Sequence, residues 1–464
     1  DRVVRSADRR IVATALIAGT LILVAALVRP AVQRAGFAAP QDGLERLKRK
    51  MGGFTPDGRD VTVLQVEASG KEGWSLDPAA PAYRGIVIDP VAPGATPGSH
   101  AAMVANAMLS LSPRLAKICT ASSDWFLNEL LQVGRPVSPR PLPSGAKIAF
   151  CAWVASVAGD AGNDVLRRAD WLIVNSPFLL VAGQSGSASL MAAGYNSIAV
   201  GGANGVPNVG TPAGIDGPGR CKPEIVTGES AASPATGRVA GAAAMLFDAA
   251  VRLPKLRDDP DAQRPEVVKA ILLAGAARRS EWTNLAPDAS APAVRAANRP
   301  LDRAVGAGTL DVARAVGVLL AGRPQPDSAM GIAGWDLVRW KAPSDHGVAE
   351  ASTFLRLERD AGELAIVCCW NRMVLDGSQW RLADVDLRIE RIGDEDSAIP
   401  WASSGNDVSE SRIDNVEMIL LRDIRAGEYR VTVHLRQGDP VPVAMAWLVS
   451  GPSRAASQTE PPAR

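Results

Sequence analysis

The sequence predicts an α/β domain, a mainly parallel sheet with helices on both faces, followed by an all-β sandwich. Three observations predict it. From Val61 to about residue 320, apolar strand runs alternate with helical stretches. The strand runs are continuously apolar, as strands covered on both faces must be. Beyond Arg323-Pro324-Gln325-Pro326 the helical stretches stop and short alternating strands take over.

Taken in order, Leu44 to Met51 reads as a helix and Val61 to Val66 as a buried strand. Gly85 to Ile88 is a second strand, and His100 to Ser110 a helix opening at Gly98-Ser99. Ala116 to Ala121, Lys147 to Val154, Leu179 to Ala182 and Ser197 to Gly201 continue the strands. Trp125 to Gln132 and Asp164 to Trp171 are helical. Gly237 to Val251 forms a long helix of small residues, with Ser233 at its mouth. In the second region, strands are expected at 354–357, 364–370, 385–392, 416–421, 429–435 and 441–449. The predicted division is 1–38, 39–325, 330–452 and a disordered polar tail at 453–464.

The 464 residues are 47% hydrophobic and 21% charged, which suits a folded chain of two or three domains. A net charge of +1 argues against a nucleic-acid partner, because no broad basic surface is available. Residues 11–28 carry no charge and follow Asp8-Arg9-Arg10, the pattern of a signal peptide or membrane anchor. An export signal is the favoured reading of 1–38, placing the protein in the periplasm or medium. Membrane contact is then expected only through this segment, if it is uncleaved. The five cysteines show no metal-ligand spacing. Cys368 and Cys369 are adjacent, so on a strand they face opposite ways.

Chemistry is expected from His100 and Ser233. His100 is the only histidine in the first 345 residues. An imidazole and a helix-mouth hydroxyl are the raw material of acyl transfer. Gly98-Ser99-His100-Ala101-Ala102 and Ser233-Pro234-Ala235-Thr236-Gly237-Arg238-Val239-Ala240-Gly241 resemble the histidine and serine blocks of the subtilisin-like serine proteases. Lys222 to Val226, Tyr195 to Gly201, Arg264 to Leu272 and Gly306 to Asp311 resemble further segments of that family, in the same order.

The resemblance implies a subtilisin-like peptidase domain over 39–325, acting as a serine endopeptidase on a peptide or protein laid along a sheet edge. It needs no metal. It implies Ser233 as nucleophile and His100 as general base, and it expects an acid on the first strand. That slot is read at Gln65, whose amide is a candidate orienting group for the imidazole. Glu67 lies two residues on, facing the same way, and is the favoured acid; a solvated strand-end glutamate is the plain reading. Gln184 stands where the family has an oxyanion-hole asparagine, with Ser185 a second donor. For Ser233 the plain reading is a helix N-cap. These substitutions motivate the alternative of an inactive subtilase-fold module that binds peptide or protein.

Residues 330–452 resemble the pre-peptidase C-terminal type of sandwich, through Ala383 to Leu387, Asp414 to Glu417 and Ala426 to Val431. Asp384, Asp386 and Asp414 are its candidate calcium ligands.

Overall fold

The computed structural model describes residues 42–452 apart from 71, 156–158, 187–188, 203–209, 212, 285–295, 298, 326–327, 341–348, 376–378 and 394–400. The apolar segment 11–28 and the tail 453–464 lie outside the described residues. No helix among the described residues is long and apolar enough to cross a membrane.

The chain is an α/β domain followed by a β-rich domain, as the sequence predicts. Seven strands form one parallel sheet: β1 (Thr62–Glu67), β2 (Val87–Pro90), β3 (Lys117–Ser122), β4 (Ile148–Cys151), β5 (Leu179–Gly183), β6 (Ser197–Gly201) and β7 (Ile225–Val226). Their order is β2-β3-β1-β4-β5-β6-β7. Every residue of β5 and β6 is buried, which explains their unbroken apolar runs. Side chains alternate between the two faces. Val63, Ile148, Phe150 and Val181 enter one core, and Leu64, Val66, Ala149 and Leu180 the other.

Helices α1 (Leu44–Met51), α2 (Ser99–Leu109) and α4 (Ala232–Arg252) cover the first face. Helix α3 (Asp160–Asn175) covers the second with Val165, Leu166, Leu172 and Ile173. Residues 123–130 are helical as expected, but only Ser123–Trp125 is an α-turn; Phe126–Leu130 widens into a π-turn. Helix α4 starts at Ala232, five residues before the expected Gly237. Two further helices, α5 (Pro265–Gly275) and α6 (Val312–Ala321), join the first core.

Helix α5 is buried along its whole length because the sandwich closes over it. Ala365, Val367 and Cys369 of strand Ala361–Trp370 join its core, while Leu364, Ile366 and Cys368 face the interior of the sandwich. The adjacent cysteines therefore do face opposite ways. All five cysteines are buried and unbonded.

Two five-stranded sheets form the sandwich, with Trp370 and Trp447 in its interior and Trp335 turned to the α/β core. An edge strand comes from the first region: Ala296–Ala297 pairs with Val408–Ser409. The calcium expectation rests on Asp384, Asp386 and Asp414. Asp386 pairs with Arg436 at 2.5 Å. Asp414 accepts from the Cys221 amide and the Ser411 hydroxyl, each at 2.8 Å. Among the described residues no three acidic, histidine or cysteine side chains gather as metal ligands.

Candidate active site

The strand order turns back on itself at β1. The chain lays β2 and β3 to one side of β1 and then crosses to place β4 on the other. In open parallel sheets, such a reversal leaves a crevice beyond the carboxyl ends of the two strands. Glu67 is the last residue of β1, and Ala152 directly follows β4. With Val66 registered against Cys151, both stand at that crevice.

His100 is the second residue of α2, and its Nδ1 lies 2.7 Å from Glu67 Oε2. The Glu67 side chain is 3% exposed and that of His100 41%, so the pair is anchored in the protein and open on one side. The hydrogen bond to Glu67 raises the imidazole pKa above its ordinary 6.5. Burial opposes that rise, and the charges of Glu67 and Glu72 add to it. In the neutral ring, Nδ1–H donates to the carboxylate, which leaves the Nε2 lone pair facing outward.

Gln65 is placed differently from the sequence expectation. It is fully buried, and its amide Nε2 donates to Glu67 Oε1 at 2.7 Å and to the Ala101 carbonyl at 2.9 Å. It therefore touches the acid and not the imidazole. It lies two residues before Glu67 on the same strand face.

Helix α4 packs directly on α2 because Gly237 and Gly241 let the backbones meet. A Cβ on Gly237 would lie 2.4 Å from the Val104 carbonyl, and one on Gly241 2.5 Å from that of Met108. This fixes the serine-bearing helix beside the histidine-bearing one. Ser233 is the second residue of α4. Its Oγ donates to the Ala152 carbonyl at 3.0 Å, so the hydroxyl reaches the same crevice. It makes no hydrogen bond to His100. Neither does it cap the helix: the cap position is Ala231, with no side-chain hydrogen bond. Among the described residues no side chain caps the first turn of α4, which favours negative charge there.

Gln184 follows β5, whose last residue, Gly183, sits against the first turn of α4. A Cβ on Gly183 would lie 2.8 Å from Thr236 Oγ1. Gln184 is 2% exposed, and both polar atoms of its side chain lack a hydrogen-bond partner among the described residues. A buried amide left unmatched is destabilising by about 1–3 kcal/mol and calls for a functional account. Ser185 is exposed, and its amide donates to the Ser189 hydroxyl at 2.8 Å.

The site thus groups Gln65, Glu67 and His100 in one hydrogen-bonded chain. Ser233 lies across the crevice on the neighbouring helix, and Gln184 stands beside the start of that helix. Sequence reasoning missed Ala152, whose part is a backbone carbonyl that no side-chain pattern encodes. It also missed Glu72, whose backbone packs against Gly98 through the segment hydrogen-bonded to residues 96–98.

No protein-family model matches the chain, and no characterised protein matches it in sequence. Among solved structures it is similar to the serine protease of Aeromonas sobria in complex with a chaperone, at 13% identity over 85% of this chain and 89% of that one, with a TM-score of 0.37. It is similar to the PatG macrocyclase in complex with peptide at 17% identity, covering 60% of this chain and 95% of that one, with a TM-score of 0.39. A lanthipeptide protease is similar at 13% identity, covering 59% and 93%, with a TM-score of 0.40.

Proposed function

We propose that this protein is an exported, subtilisin-like serine endopeptidase. The observation that carries the reading is the 2.7 Å pairing of His100 with a buried carboxylate at the sheet's topological switch point. Across that crevice lies a serine hydroxyl at the start of a long helix.

In this reading Glu67 holds the imidazole with Nε2 as the free base. Ser233 turns from the Ala152 carbonyl toward Nε2, gives up its proton and attacks the scissile carbonyl carbon. The oxyanion is met by the Ser233 backbone N–H and the unmatched Gln184 amide, and such a donor is worth about 10²–10³ in rate. His100 returns the proton to the leaving amine, and water then releases the acyl group by the same base. The substrate is a peptide or protein segment in extended form. Localisation outside the cytoplasm, with residues 1–38 as signal or anchor, belongs to the same proposal.

A serine-directed fluorophosphonate tests it. The protein is expected to be labelled covalently, and Ser233→Ala to abolish the label while remaining folded. A folded wild-type protein that takes up no label would overturn the reading and leave a peptide-binding module.

A further inference from the structure

We propose that Gln65 is a positioning residue of this site, a brace that holds the Glu67 carboxylate at His100; the proposal rests on the peptidase reading above. Gln65 sits in the middle of β1, registered between Thr120 of β3 and Phe150 of β4, and is fully buried. A central parallel strand ordinarily fills such a place with an aliphatic side chain.

The amide is oriented without ambiguity, since both N–H groups of Nε2 meet acceptors: Glu67 Oε1 and the Ala101 carbonyl. The consequence is that Gln65 Oε1 is buried with no partner among the described residues. An aliphatic side chain would not carry that defect, so its presence points to a use for the two donors. Glu67 has one more rotatable bond than aspartate and needs a second hold to keep Oε2 facing Nδ1. Gln65 supplies that hold on Oε1. It also ties the carboxylate to the first turn of α2, so the strand bearing the acid and the helix bearing the base are joined through one amide.

The test uses Gln65→Met, which keeps length and removes both donors, and Gln65→Glu, which exchanges the amide for a carboxyl group. Turnover of a peptide substrate and the titration of ¹⁵N-labelled His100 are followed across pH. Gln65→Met is expected to lower kcat about 10²-fold with KM unchanged, and to bring the His100 midpoint down toward 6.5. Unaltered kcat and midpoint would overturn the proposal. Should Gln65→Met fail to fold, Gln65→Glu decides. Two touching carboxyl groups share one proton at low pH, and the protonated group can donate to Glu67 as the amide does. Turnover is then expected only between the deprotonation of His100 and the loss of the shared proton, a bell-shaped profile in place of the wild-type rise; a profile identical to wild type would count against the brace. Absence of Ser233-dependent turnover in the unaltered protein would defeat the peptidase reading, while the His100 titration still reports on the brace.

Discussion

At the scale of single residues, the His100–Glu67 hydrogen bond fixes both the tautomer and the titration of the base. The carboxylate stabilises the imidazolium, so the folded pKa lies above 6.5. In the peptidase reading proposed above the ring must be neutral to act as base, so kcat/KM is expected to rise with pH through a midpoint above that value. Glu67→Gln should pull the midpoint back toward 6.5 and lower kcat by about 10⁴, because an amide can hold the ring in the wrong tautomer. A pH–rate profile on both proteins checks this; an unmoved midpoint would show that Glu67 does not govern the ring. The sequence makes His100 and Ser233 conspicuous, one by scarcity and the other by its helix. It is less informative about the acid. Gln65 and Glu67 share a strand face, and period-two alternation cannot say which of them stands at the strand end where α2 begins. Only the start of the helix relative to the end of β1 decides.

At the scale of elements, the site depends on how closely α2 and α4 approach. The run of small residues in α4 announces close packing in the sequence, but not its partner. In the structure Gly237 faces the Val104 carbonyl and Gly241 that of Met108. These are backbone atoms, which cannot swing aside as a side-chain tip would. Gly237→Ala is therefore expected to force the helices apart, lowering stability by about 1–3 kcal/mol and shifting Ser233 relative to His100. Urea unfolding and the fluorophosphonate labelling rate should fall together. Gly317→Ala in α6 is the contrast, since a Cβ there meets nothing within 4 Å. Replacing a helical glycine by alanine at an open position should stabilise by up to about 1 kcal/mol without altering labelling. Equal losses in the two variants would mean that helix propensity, and not helix approach, is being measured. The strands were legible for a related reason: burial on both faces writes itself as an apolar run, whereas α5 gave no such periodic signal because it is buried all round.

At the scale of the whole molecule, the two regions are joined by charge as well as by apolar packing, and none of this was legible in the sequence. Arg372 comes from the sandwich and is fully buried. It pairs with Asp170 at 2.5 Å and with Asp216 at 2.6 Å, both in the α/β region. Its guanidinium lies 4.4 Å from the centre of the Tyr195 ring, and Arg220 lies 4.1 Å from the same centre. Asn196 receives the Arg372 amide at 2.8 Å, and Asn415 donates to the Tyr195 carbonyl at 2.9 Å. Tyr195 and Asn196 lead directly into β6, whose Val200 carbonyl accepts from the backbone N–H of Gln184 at 2.8 Å. The sandwich therefore grips the strand next to the candidate oxyanion donor. In sequence these contacting residues lie up to 220 positions apart. Arg372→Met would leave the buried Asp170 without a cation and Asp216 with Arg167 alone, and breaking a buried pair in this way costs about 3–5 kcal/mol. Adding Asp170→Asn should recover part of that loss, because the uncompensated charge is removed, while Asp216 stays paired with Arg167. The wild-type protein is expected to unfold in one transition detected alike by tryptophan fluorescence and by far-ultraviolet dichroism, which two independent domains need not do. Separate wild-type transitions for the two probes, or a harmless Arg372→Met, would show the sandwich to be an appended module and not the support on which β6 rests.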